Sequence, residues 1–278
     1  MKKILLLPNP LKPEAIELGE RLKPILIQMG FEVILEEALS DVKDGTVFWQ
    51  QLNLVLVLGG DGSMLNAARK IYPHQIPLLG INLGQLGFLT KVESDRVVEA
   101  FELYLQGKCH LEMRTMLLAE VIRNEVVLPQ QVALNDFVVA KNSCGRLIRF
   151  EIWIDEEYFT TCPADGLIVA TATGSTAYSL SAGGPILDPR LEALLITPIC
   201  SHSLYSRPVV LRKESQIGIK VNSNNVEMLL SADGQESIVL QAQDWIRVTR
   251  APYHTQLLHF NHQGVFEVLR SRFQEGRI

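Results

Sequence analysis

The sequence predicts an α/β N-terminal domain built on a doubly wound parallel sheet, followed by a β-rich, β-sandwich-like C-terminal domain. The first hundred residues alternate short apolar runs with amphipathic stretches, and the run Leu54, Val55, Leu56, Val57, Leu58 is apolar on both faces, as a strand is when helices cover both sides of a parallel sheet. Beyond about residue 108 the texture changes to short β-rich segments separated by turn pairs. The length, 278 residues, is enough for two such domains, each with its own core.

Taken in order, residues 3–7 read as a strand, 13–30 as a helix, 31–35 and 53–58 as strands, 63–72 as a helix and 76–81 as a strand. Ser94 is placed to cap a further helix through Gln106, in which Val97, Val98, Phe101, Tyr104 and Leu105 recur at helical spacing before Gly107 stops it. The domain boundary is set there, giving a first domain of residues 1–107 and a second of 108–262. Strands are expected at 117–123, 131–140, 148–154, 166–170, 216–221, 226–230, 237–240, 245–249 and 256–260. Turns are expected at Asp155-Glu156, Asn224-Asn225 and Asp233-Gly234. A final helix, about 263–278 with its clearest pattern at 265–273, is expected to return to the first domain.

Composition narrows the function. Charged residues make up 21% and hydrophobic ones 47%, the balance of a folded globular protein. Lys plus Arg is 26 against Asp plus Glu 31, a formal net charge of -5 with no basic block, which argues against a nucleic-acid partner. Only residues 4–7 are apolar before Pro8 interrupts, short of the ~7 to 15 of a secretory segment, and no run reaches the ~18 needed to span a bilayer. A cytoplasmic protein with no membrane partner is expected. The four cysteines, Cys109, Cys144, Cys162 and Cys200, form no C-x-x-C pair and read as reduced, mostly buried thiols.

The strongest local signal is Gly59, Gly60, Asp61, Gly62, Ser63, set between a buried strand and a helix. Glycines let backbone N–H groups approach phosphate oxygens, and the helix N-terminus adds partial positive charge, so Gly59, Gly60, Gly62 and Ser63 form a candidate phosphate cradle. A carboxylate inside an anion site repels phosphate unless it takes a proton from the nucleophile or acts through a metal ion, so Asp61 reads as a base for phosphoryl transfer. The alternative is a tight turn with Asp61 as a helix N-cap. A dinucleotide fingerprint fails at Leu65, a Walker lysine is absent, and G-x-S-x-G fails at both Gly62-Ser63 and Gly174-Ser175.

Residues 165–185 concentrate small and hydroxylated side chains around Tyr178, a wall for a flat base or sugar with Ser and Thr as donors and the tyrosine as a stacking face. Asn135 and Asp136 interrupt a strand-like run as a ligand contact, or as a bulge or turn. Asp233-Gly234 reads as a hairpin turn, with Gln235 beside it able to face a ligand. His202 reads as a buried, hydrogen-bonded residue, and His254, His259 and His262 as surface histidines rather than a metal cluster.

Together these segments resemble the NAD kinase family through most of the chain. The family's GGDG turn corresponds to residues 59–62, and its Gly-x-Asn-x-Gly-x-Leu-Gly-Phe-Leu segment to 80–89. Its Asn-acidic pair corresponds to Asn135 and Asp136, its Thr/Gly/Ser block to 165–185, and its Pro-x-x-x-His-Ser-Leu-x-x-Arg-Pro segment to 198–208. The resemblance implies a phosphofructokinase-like N-terminal sheet and transfer of a phosphoryl group from ATP to the 2′-hydroxyl of the adenosine ribose of NAD, giving NADP. It implies Asp61 as the base, Asn135 and Asp136 on the adenosine with Asp136 near its ribose, and Gly62 with Phe88 closing the pocket near Asp61. Asp165, Thr176, Ala177, Tyr178 and Ser181 would line the dinucleotide site, partly from a neighbouring subunit of a homodimer or homotetramer, and Arg146 and Gln235 are carried over from loops. With no Walker lysine, Mg²⁺ or another divalent ion is expected to neutralise the triphosphate.

The chain departs from the family pattern at Ser63 in place of threonine, Asp136 in place of the glutamate of many relatives, and Ala172 where proline is common. Other readings of the GGDG turn are lipid kinases of the diacylglycerol and sphingosine type and, more distantly, phosphofructokinases. The Asn135 and Asp136 pair with the 165–185 block favours a dinucleotide acceptor over these. An intact Asp61 argues against a non-catalytic NAD(P) sensor, and Leu65 against an oxidoreductase.

Overall fold

A computed structural model describes residues 1–36, 45–84, 87–142, 148–203, 206–222, 226–260 and 268–270. In chain order the elements are β1 (Lys2–Pro8), α1 (Pro13–Gln28), β2 (Phe31–Leu35), α2 (Gly45–Gln51), β3 (Leu52–Gly59), α3 (Asp61–Ile71), β4 (Leu78–Asn82), β5 (Val92–Glu93), α4 (Val97–Leu105) and β6 (His110–Arg114). They continue as β7 (Leu117–Arg123), β8 (Val126–Val127), β9 (Gln131–Ala133), β10 (Asp136–Lys141), β11 (Ile148–Ile154), β12 (Glu157–Ala164), β13 (Gly166–Thr171), α5 (Tyr178–Ser181) and β14 (Ala193–Ile199). The last are β15 (Val209–Arg212), β16 (Ile217–Asn222), β17 (Met228–Ala232), β18 (Glu236–Leu240), β19 (Trp245–Arg250) and β20 (Thr255–His259). Two compact units result, one of Met1–Met113 with Thr255–Ile278 and one of Arg114–His254. Among the described residues no helix is long and apolar enough to cross a membrane.

In the first unit the sheet runs β2-β1-β3-β4-β20-β6, with β5 beside β4. The pairs β1 with β2, β1 with β3, β3 with β4 and β4 with β20 are parallel. β3 is buried along nearly its whole length, as its unbroken apolar run requires when both faces are covered. The buried stripe of α1, Ala15, Leu18, Leu22 and Leu26, follows helical spacing and joins Ile4, Leu6, Leu54, Leu56 and Leu58 in one core. Because Gly59 pairs with Asn82, β3 and β4 end side by side, and the glycine-rich turn sits at the carboxyl edge where open α/β sheets bind ligands.

The second unit stacks two antiparallel sheets, β15-β14-β13-β10-β17-β18 and β12-β11-β16-β19-β7-β8, with β9 on β7. Alternating burial along β7 and β17 sends every second side chain inward, where Leu117, Phe150, Ile219 and Val248 of one sheet meet Phe137, Val169, Leu194 and Leu230 of the other. The edge strands carry exposed apolar side chains: Val210 on β15, Val239 on β18, Tyr158 and Phe159 on β12, Val126 and Val127 on β8.

Several expectations are corrected in detail. Ser94 does not cap α4: it lies in a turn closed by Arg96 N–H on the Glu93 carbonyl, and Arg96 occupies the cap position without a side-chain bond. The strand expected at 256–260 among the β-rich segments lies instead beside β4 in the parallel sheet, because its register partner is Leu78. The run expected at 131–140 as one strand breaks at Leu134 and Asn135 into β9 and β10. The expected helix at 263–278 falls outside the described residues except for 268–270, which are helical, and the Asn224-Asn225 turn lies outside them. Asp155 and Glu156 form a two-residue hairpin turn with both φ angles positive, 53° and 69°.

Cys162 is buried as expected, but Cys109 is half-buried and Cys200 exposed, while Cys144 lies outside the described residues. His202 is exposed in the loop after β14, not buried. His259 is the reverse: on β20, inside the parallel sheet, it is buried with Nε2 3.1 Å from Glu112. His254 is half-buried, 3.3 Å from Glu192, and His262 lies outside the described residues.

Candidate functional site

The helix after the GGDG turn starts at Asp61 itself, with Gly60 in the cap position. The Asp61 carboxylate therefore does not cap its own helix. It accepts three consecutive backbone N–H groups from the loop after β4: Phe88 at 2.8 Å on Oδ2, and Leu89 at 2.9 Å and Thr90 at 3.3 Å on Oδ1. Such charge-assisted bonds fix a carboxylate in place. A carboxylate offers about four acceptor positions, so among the described residues the three amides leave one, on Oδ2.

Two glycines make the arrangement sterically possible. A Cβ on Gly87 would stand 2.1 Å from Asp61 Oδ1, and one on Gly59 would stand 2.2 Å from Ser63 Oγ. The Ser63 hydroxyl is held in turn by Asn9, whose Nδ2 donates to it at 3.0 Å while its Oδ1 accepts the Leu11 N–H at 3.0 Å. Gly59, Gly60, Asp61, Gly62, Ser63 and Phe88 are thus gathered at one sheet edge. Asn9 was not a sequence candidate, although its place between Pro8 and Pro10 at the end of β1 was a signal for it.

In the second unit Asn135 and Asp136 stand where β9 gives way to β10, and every neighbouring backbone group has a partner. The N–H groups of Leu134, Asn135 and Asp136 donate to the carboxylate of Asp233, at 3.1 Å on Oδ2 and at 2.8 and 3.2 Å on Oδ1. On the carbonyl side, Thr171 donates its N–H to Asn135 at 2.8 Å and its hydroxyl to Leu134 at 2.7 Å, and Asp233 N–H donates to the Asp136 carbonyl at 2.9 Å. Gly174 is pressed against the same turn, since a Cβ there would stand 2.1 Å from the Asn135 carbonyl oxygen.

Asp136 is only 4% exposed, and no donor among the described residues bonds its carboxylate. Burial, and secondarily the charge of Asp233, push its pKa up to about 7. Asp233 and Gly234 form the expected hairpin turn, with φ of 50° and 65°, but Ala232 pairs with Glu236, so Gln235 is a third, exposed loop residue. The hydrogen bonds of the Asp233 side chain are what sequence reading missed, because Asp-Gly is fully explained as a turn.

The hydroxyls of the 165–185 block divide into two groups. Those of Thr171, Ser175 and Ser179 are buried and committed to the protein: Ser175 donates to Ala172 at 2.7 Å and accepts from Leu187 N–H at 3.0 Å, and Ser179 meets Thr197 at 2.8 Å. They are not ligand donors, contrary to the simplest reading of a Ser/Thr wall. Thr176 and Ala177 are half-buried, and Tyr178 and Ser181 exposed, so the members carried over from the resemblance are the accessible ones.

Asp165 is not brought beside Asp136. The two lie at opposite ends of the β10/β13 pair, in which Asp136 faces Ala170 and Ala140 faces Gly166, about 17 Å apart at ~3.4 Å per residue. Asp165 instead pairs with Lys141 at 2.5 Å. Arg146 lies outside the described residues. No three His, Cys, Asp or Glu side chains among the described residues come together as a metal site.

Comparison with known proteins identifies the family. Residues 4–109 match the ATP-NAD kinase N-terminal domain and residues 134–260 the ATP-NAD kinase C-terminal domain. An NAD kinase of Moorella thermoacetica is 46% identical over 222 residues, 80% of this chain and 71% of its own, and one of Heliobacterium modesticaldum is 40% identical over 278 residues, 97% of each chain. The crystal structure of yeast NADH kinase complexed with NADH superposes with a TM-score of 0.86 at 28% identity, covering 99% of this chain and 87% of that one. With both domain profiles placed in order on two units that carry the GGDG and Asn-acidic turns, the chain belongs to the ATP-NAD kinase family.

Proposed function

We propose that the protein transfers the γ-phosphoryl group of ATP to the 2′-hydroxyl of the adenosine ribose of NAD, forming NADP, with Asp61 as the general base. The observation that carries this reading is the carboxylate of Asp61, fixed by three amides at the mouth of a glycine-rich turn with one acceptor position left on Oδ2. A ribose hydroxyl is a poor nucleophile at neutral pH. A carboxylate within ~2.6 to 3.2 Å accepts its proton as the phosphorus–oxygen bond forms, worth ~10² to 10⁴ in rate, and the β–γ bond breaks with ADP as leaving group.

Gly59, Gly60, Gly62 and Ser63 receive phosphate oxygens at the start of α3, an 11-residue helix whose N-terminal partial charge favours them. Phe88 and Gly62 close the pocket beside Asp61. Asn135 and Asp136 hold the adenosine part of NAD, with the Asp136 carboxyl on the ribose, and Thr176, Ala177, Tyr178, Ser181 and Gln235 line the dinucleotide. The described residues do not form a cage for a resident metal ion, and no step here runs through one. The divalent ion belongs to the substrate, held by triphosphate oxygens and water.

Asp165 contributes from a neighbouring subunit in a homodimer or homotetramer. Its distance from Asp136 along the β10/β13 pair supports this, as do the apolar side chains exposed on the edge strands of the β unit. The free cysteines accord with a cytoplasmic setting.

The test is purified protein with ATP, Mg²⁺ and NAD, read by an NADP-specific dehydrogenase, with each component omitted in turn. NADP is expected only when all three are present. Absence of NADP in the complete mixture overturns the proposal.

A further inference from the structure

We propose that Asp233 is the positioning residue of the Asn135 and Asp136 pair: by taking the amide N–H groups of residues 134–136 on its carboxylate, it holds both side chains in the orientation that binds the acceptor ribose. The inference rests on the reading of that pair given above and adds the residue that makes it work. Asp233 lies 97 to 99 residues away in sequence, so the turn it stabilises cannot be set by local propensity.

The clamp works from both sides. Asp233 takes the donors of the turn and gives its own N–H to the Asp136 carbonyl, while Thr171 takes the remaining acceptors. With its backbone saturated, the turn has no freedom to rotate Asn135 or Asp136 away, and only their side chains remain to meet a ligand. The hairpin that carries Asp233 is equally constrained, for its φ of 50° and that of Gly234 at 65° match a turn type that favours Asp, Asn and Gly.

Asp233 also acts on Asp136 through charge. Around Asp136, β13 presents the uncharged Ala170, and the turn after β17 presents Asp233, the charged neighbour that shifts it. A buried carboxyl beside a carboxylate keeps its proton to about neutral pH, so Asp136 is able to donate to a ribose oxygen as well as accept. Above that range it is an acceptor only, and binding of the ribose becomes pH-dependent.

The experiment compares wild type with Asp233→Asn in the full chain, measuring NADP formation as a function of NAD, ATP and pH. Asparagine keeps the positive φ but loses the charge and one acceptor oxygen. KM for NAD is expected to rise about 10- to 100-fold while KM for ATP stays within about threefold. The midpoint of the pH dependence of kcat/KM for NAD is expected to move to lower pH, because the charge of Asp233 adds to burial in raising Asp136. If Asp233→Asn fails to fold, Asp233→Gly, which accepts the same backbone, gives the same two readings. Unchanged KM for NAD overturns the proposal, as does a raised KM with an unmoved midpoint. Failure of wild type to form NADP overturns the functional reading instead, so the two failures are distinct.

Discussion

The α/β unit and the β unit each seat one aspartate carboxylate on three consecutive backbone amides, Asp61 on residues 88–90 and Asp233 on residues 134–136. The hydrogen bonding is alike, but the roles are reversed. In the first, the amides hold the carboxylate, and Asp61 is itself the group proposed to react. In the second, the carboxylate holds the amides, and the groups proposed to act are the neighbouring side chains of Asn135 and Asp136. The consequence shows in Asp136, which is buried beside the carboxylate that positions it and is held near neutrality in its titration. One device, used twice, serves the proposed base in one unit and the proposed binding turn in the other.

The glycines that guard the two nests sharpen the difference. In Gly87→Ala the new Cβ meets the Asp61 carboxylate and not the backbone, so the proposed base must leave its amides while the chain path is kept. Turnover is expected to fall about 10²-fold or more, with a smaller loss of melting temperature than in Gly174→Ala, measured by steady-state kinetics and thermal unfolding. In Gly174→Ala the Cβ meets the Asn135 backbone, which cannot move without breaking the turn. Here stability carries the loss, about 3 kcal/mol or ~6 to 12 °C in a thermal melt. Exchange of these two outcomes would break the comparison.

Asp136 gives the β unit a pH signature. Its ordinary pKa of 3.8 in the unfolded chain rises to about 7 in the fold, so between those values the native state binds a proton that the unfolded state has released. Stability from this group is therefore greatest at low pH, declines as pH rises through the window, and levels off above about 7. Asp136→Asn removes the decline. The variant is expected to gain on wild type by on the order of 2 kcal/mol between pH 5 and pH 8, read as the difference of their melting curves, and a pH-independent difference would contradict it. The smallest effect is Asn9→Ala, which frees the Ser63 hydroxyl at the cost of about 1 kcal/mol of a hydrogen bond and is expected to raise KM for ATP a few-fold.

Sequence reading goes further in the α/β unit than in the β unit, for physical reasons. The both-face apolar run of β3 and the glycines of the turn after it are local signals, and they lead to the parallel sheet and to Asp61. The hydrogen bonds that fix Asp61 span only 27 to 29 residues and join the glycine-rich turn to the loop after β4 in the same unit. In the β unit the decisive contacts join residues nearly a hundred apart. Asp233 is hidden there behind an Asp-Gly turn, and the buried hydroxyls of Ser175 and Ser179 are indistinguishable by composition from the accessible Thr176 and Ser181. The strands β12, β14 and β15 were likewise not expected. The half-exposed β12 and β15 lack a continuous apolar signal, and the expected segments passed over β14 despite its buried run of four residues. β20 reads like its β-rich neighbours, and only its pairing with β4 assigns it to the parallel sheet.

The most direct test of the account is turnover and NAD affinity in Asp61→Asn, with NADP formation measured at saturating ATP and NAD and NAD binding measured by calorimetry. Asparagine keeps the shape and one acceptor oxygen but cannot take the ribose proton, so kcat is expected to fall about 10²- to 10⁴-fold while the dissociation constant for NAD stays within about threefold. Turnover close to that of wild type would remove Asp61 as the base and contradict the account.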